Sequence, residues 1–142
     1  MRLLLICLVL VAAGCDSTGD DAEPYAGIIE VSFAQSVEGQ NALRLVAVDD
    51  NGCDDPLVVE TSDTATRLSV RVVGIVRLRG ATCLAVIPAS ALIPLSFGAE
   101  GVLPVEITHD GSTDAYSYSV RGFVGHLLQA VRTSTTRLAG SE

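Results

Sequence analysis

Residues 67–79 read R-L-S-V-R-V-V-G-I-V-R-L-R. Leu68, Val70, Val72, Gly74, Val76 and Leu78 fall on one side of an extended chain, because successive side chains of a β-strand point to opposite faces. Ser69, Arg71, Arg77 and Arg79 fall on the other, with Val73 and Ile75 as apolar exceptions. No helical stripe fits the run, since charge and apolar mass return every second residue rather than every third or fourth. The stretch is therefore a long strand, and Gly74 inside it marks a bulge or bend.

The same period of two recurs on both sides. Ile29, Val31 and Phe33 oppose Glu30 and Ser32, and Leu43, Leu45 and Ala47 alternate with Arg44. Residues 84–87 (L-A-V-I), 102–108 and 115–121 extend the series, with Tyr116, Tyr118 and Val120 in line. The turn-rich H-D-G-S-T-D of 109–114 predicts a hairpin between the last two. Asn51-Gly52 is a strong turn dipeptide, and Pro56, Pro88, Pro94 and Pro104 each exclude a central ladder position or mark an edge. Residues 88–92 have room for one short helical turn. Phe123, Leu127 and Val131 have helical spacing, but Gly125 weakens a helix and the β neighbours favour a strand over 123–132. The sum is seven to nine short antiparallel strands within a single domain, residues 25–142. The natural class is all-β, an immunoglobulin-like sandwich in architecture, although the usual buried Trp is missing; a small barrel is the alternative.

Composition agrees with a packed globule. The 142 residues are 49% hydrophobic and 18% charged, but only 4% aromatic, with no Trp. Formal charge is −8, and becomes −9 if a leader carrying only Arg2 is removed. Such a surface disfavours nucleic-acid phosphates.

The start of the chain carries a different signal. One positive charge at Arg2 precedes an uncharged apolar run, 3–13, of about half the 20 residues that a spanning helix needs. Residues 1–14 thus have the form of a secretory signal peptide. Its exit, Val11-Ala12-Ala13-Gly14-Cys15, resembles the lipobox of bacterial lipoproteins. The resemblance covers 1–15 only and does not reach the fold. It implies that Cys15 is acylated with diacylglycerol, becomes the first mature residue, and anchors the protein to a membrane of the bacterial cell envelope, periplasmic or surface-exposed. Ala12 departs from the Leu usual there. Two or three acyl chains suffice for lasting anchorage. Residues 15–24 are polar and acidic, and read as a flexible tether that reaches at most about 35 Å.

With Cys7 in the leader and Cys15 acylated, Cys53 and Cys83 remain. In an exported chain they predict a disulfide. Asp49, Asp50, Asn51, Asp54 and Asp55 make an oxygen-rich segment that is a weak calcium candidate; glycine at the sixth position of an EF-hand would put Ala47 at the first, so that motif fails. The bland alternative is an acidic solvated turn. Arg67, Arg71, Arg77 and Arg79 could form a basic stripe for an acidic partner or anionic lipid, or an exposed face neutralised by nearby acids. His109, Asp110 and Ser112 have the residue types of a nucleophilic triad but sit in one tight turn, and no G-x-S-x-G elbow exists. His126 reads as an ordinary packed or surface imidazole.

No cofactor motif is present. The expectation is a non-enzymatic, lipid-anchored β-sandwich that binds a protein partner in the envelope or has a structural role there. The alternative is a carrier of a small apolar ligand.

Overall fold

A computed structural model describes residues 21–78, 83–95, 101–121 and 125–140. The leader, Cys15 and most of the tether lie outside these residues, as do Arg79, Phe123 and the side chain of His126.

Among the described residues nine strands form two facing sheets: β1 (Ile29–Gln35), β2 (Asn41–Ala47), β3 (Leu57–Thr64), β4 (Arg67–Ile75), β5 (Ser90–Pro94), β6 (Gly101–His109), β7 (Ser112–Arg121), β8 (Gly125–Arg132) and β9 (Thr136–Leu138). One sheet has the order β5-β2-β1-β9, the other β3-β4-β6-β7-β8. The molecule is an all-β sandwich, not a closed barrel. Segment 123–132 contributes a strand, β8, as its neighbours suggested.

The expectation of purely antiparallel strands needs correction, because β1–β9 and β4–β6 are parallel. The cause is the path of the chain. Successive strands reverse direction, so any two neighbours of the same parity run the same way. The chain crosses to the other sheet for β5 and returns as β6 beside β4, and it crosses once more to place β9 beside β1.

The core follows from the alternation. Ile29, Val31, Leu43, Leu45, Leu68, Val70, Leu103, Val105 and Ile107 are buried between the sheets. Aromatic bulk is supplied by Tyr116 and Tyr118, both buried, and Phe33 stacks on Tyr118 at 6.0 Å between ring centroids.

The register of the 67–79 stretch changes at its bulge. Val58 pairs with Gly74 but Val59 pairs with Val72, which leaves Val73 as the extra residue. A bulge flips every following side chain to the opposite face. Ile75 is consequently buried, the strand ends there, and Leu78 is exposed instead of lining the core. Gly74 is required by a close approach: a Cβ there would lie 2.2 Å from the Glu23 carbonyl oxygen. Glu23 and Ile75 exchange two backbone hydrogen bonds of 2.9 Å. The expected free tether therefore ends before Glu23, whose backbone is stitched to the end of β4. Gly74→Ala should push this segment away and cost about 2 kcal/mol, as overpacking does. Faster hydrogen exchange at the Ile75 amide would report the detachment.

Two further expectations fail. Residues 84–87 are an exposed loop with only an isolated bridge at Ile87, and 88–92 lead into edge strand β5 without a helical turn. Both results follow from the pairing of β5 with β2, which fixes Ser90 opposite Val46 and Pro94 opposite Ala42. Pro94 is tolerated because β5 is an edge strand. Pro104 sits one residue before β6 begins to pair with β4.

Candidate functional site

Strand direction gathers one set of segments at a single end of the sandwich: 21–28, 48–56, 76–78, 83–89, 109–112 and 133–135. The chain that precedes the domain enters here. Most of the described residues singled out from the sequence lie at this end, Arg67 and Arg71 excepted.

Arg77 is its electrostatic centre. Its Nη1 donates to Asp50 Oδ1 at 2.6 Å and Asp55 Oδ2 at 2.9 Å, and its Nε lies 3.6 Å from Glu23 Oε2. The second Asp50 oxygen accepts from Ala89 N–H at 2.9 Å and Gly52 N–H at 3.2 Å. Asp55 Oδ1 accepts from Leu78 N–H at 3.0 Å. That backbone bond, with the Arg77 guanidinium next in weight, holds the Asp55 carboxyl below the usual carboxylate range. The two acids in turn raise the Arg77 guanidinium above its ordinary value. Gly52 packs so tightly that an added Cβ would meet Asp55, Asp50 and Arg77 at 3.0 Å or less.

The arrangement divides the calcium candidates. Asp50 and Asp55 are buried and turned onto a guanidinium, whereas Asp49, Asn51 and Asp54 are exposed. Among the described residues no group of three or more His, Cys, Asp or Glu is placed to hold a metal ion. The basic stripe is likewise divided: Arg67 pairs with Glu106, Arg71 with Glu60, and Arg77 with the buried acids. The two exposed pairs contribute little to stability.

Cys53 and Cys83 are joined in a disulfide, with their α-carbons 5.4 Å apart. The bond fixes the start of the 83–89 loop beside the acidic turn. Ile87 fixes the other side, donating to Gly52 O and accepting from Asp54 N–H, both at 3.0 Å. Between these clamps Leu84 and Val86 are displayed outward, 98% and 66% exposed. Leu78 and Ile87 are about half exposed at the same end.

His109, Asp110 and Ser112 do not converge. Asp110 (φ 45°) and Gly111 (φ 73°) form a two-residue turn with positive φ at both centres, so His109 and Ser112 pair across the hairpin. The buried His109 ring donates Nε2–H to the Gly27 carbonyl at 2.8 Å and stacks on Tyr25, 5.8 Å between centroids. It fastens the entering chain to the β6–β7 hairpin.

Asp114 was not singled out from sequence beyond its place in a turn-rich string. It is a buried carboxylate on β7 that accepts from Ser134 N–H and Oγ–H, each at 2.8 Å, Thr135 N–H at 3.0 Å, and Thr136 N–H and Oγ–H, each at 2.7 Å. Burial by itself raises its pKa, but the donors from Thr136, Ser134 and Thr135 outweigh burial and hold the group ionised below the ordinary range. A Thr-Ser-Thr-Thr run (133–136) following a strand was the available signal. Such residues offer hydroxyl and backbone donors together in turns.

Recesses of roughly 460 Å³ beside Glu23, Arg77 and Leu78, and 380 Å³ between the edges of β3 and β5, open on the surface. No protein family matches the chain, and neither a characterised protein nor a solved structure matches it.

Proposed function

We propose that the chain is a lipid-anchored envelope protein whose sandwich acts by surface contact, as a binding or structural module, and not by catalysis. One observation carries the reading: the polar groups best suited to chemistry are committed to holding the fold. His109 is bonded to the Gly27 carbonyl, Asp114 to the 134–136 turn, and Asp50 and Asp55 to Arg77. The lipobox-like junction supplies the anchor. The contact partner is an envelope protein, and edge strand β8 offers it Leu127 and Val131, both exposed. The carrier alternative draws on the β3–β5 recess, whose lining mixes Leu68, Leu92 and Ile93 with Thr61 and Asp63.

Cys15→Ser should shift the protein from the membrane to the soluble fraction; a variant that stays bound with its leader uncut would show that another anchor operates. Mass spectrometry of the wild-type amino-terminal peptide should find acyl chains on residue 15. An unmodified Cys15 would remove the anchor from this reading.

A further inference from the structure

We infer that the disulfide-stapled loop 83–87 is a second membrane contact, lying in the head-group and upper acyl region of the bilayer that holds the protein's own lipid. The inference rests on the lipid-anchored reading. Its support is the place where the undescribed chain ends. Glu23 is bonded to the last residue of β4, and Asp21 and Glu23 line the same recess as Arg77 and Leu78. From Cys15 to Asp21 the chain spans at most about 20 Å, so an acylated Cys15 brings this end of the sandwich to the lipid surface. The opposite end, with the Val37 hairpin, lies a full strand length away, about 20 Å further.

The apolar side chains are unevenly suited to water. Leu84 is 98% exposed, in a loop with Val86 and Ile87. Two clamps, the disulfide and the Ile87–Gly52–Asp54 bonds, prevent the loop from folding back onto the core. Charge selects the lipid. Asp21, Glu23, Asp49, Asp54 and Asp110 are exposed at this end and outnumber the exposed Arg132, while Arg77 is already taken by Asp50 and Asp55. The contact is therefore apolar and suits zwitterionic head groups; anionic lipid should weaken it.

The absence of Trp from the sequence makes a clean test. The full chain, acylated in cells and reconstituted into phosphatidylcholine vesicles, would carry either Leu84→Trp or Val37→Trp as its single indole. Both positions are exposed, so neither substitution disturbs packing. Leu84→Trp should emit at shorter wavelength and be quenched several-fold more by brominated acyl chains than Val37→Trp, and the difference should shrink when phosphatidylglycerol is added. Vesicle flotation reports the anchor separately. Should both proteins float with equal quenching, the anchor stands and the inference falls. The same holds if a blue shift occurs without bromine quenching, which would place the loop against protein. Failure to float would remove the anchorage and the inference together.

Discussion

Asp114→Ala should cost about 4 kcal/mol, because an orphaned buried donor carries its full desolvation penalty. The carboxylate is only 1% exposed and takes five short hydrogen bonds from Ser134, Thr135 and Thr136. Alanine leaves three backbone N–H groups without that acceptor and frees the turn that leads into β9. The Tyr116 hydroxyl in the core donates in turn to the Thr136 hydroxyl oxygen, so the disturbance passes inward. Domains of this size have about 5–15 kcal/mol in total; urea unfolding should show a much lower midpoint. Ionisation supplies a second readout. The folded-state pKa of Asp114 lies below its unfolded value, so its contribution is complete above about pH 4. It is lost as pH falls through the folded value, since the unfolded chain then binds the proton more readily. The stability gap between wild type and Asp114→Asn should accordingly narrow from pH 5 to pH 2. A gap that stays constant would mean that the charge is not what the turn recognises.

Removing the Cys53–Cys83 bond, by Cys→Ala at both positions or by reduction, should cost about 3.6 kcal/mol from loop-closure entropy alone, given the separation of 30 residues. The loss will not add simply to that of Asp50→Ala. The disulfide and the Asp50–Ala89 bond hold the same two segments together, and neighbours sharing a structure couple. A thermal scan with and without reductant gives the size. Wild-type protein that melts at the same temperature in both would show that the crosslink contributes nothing.

Most strands were legible because their apolar residues alternate against charge, as at 29–33, 43–47 and 68–72. The disulfide was legible by counting cysteines. The 84–87 run misled for a definite reason: four consecutive apolar residues have no alternation, so nothing in them says which face is covered, or whether either is. The flip at Val73 was half visible. Gly74 announced a bulge, but only pairing with β3 reveals which residue is extra and hence that Ile75 faces inward. Parallel neighbours could not be read at all, since they depend on which sheet each returning strand joins. The site followed the same division. Asp50 and Asp55 stood out as acids, but their partner Arg77 is more than 20 positions away. Asp114 was half hidden: three of its five donors are backbone amides, which leave no mark in composition, and only the Ser134 and Thr136 hydroxyls do.

The parallel pairing of β1 with β9 has a consequence for biogenesis. Glu30 and its ion-pair partner Arg137 are 107 positions apart. The outer flank of β1 stays an open edge until β9 has docked, and such distant closure is slow. A variant lacking Thr136–Leu138 would therefore hold an unsealed sheet and an Asp114 carboxylate without its Thr136 donors, and would be a natural substrate for proteolysis.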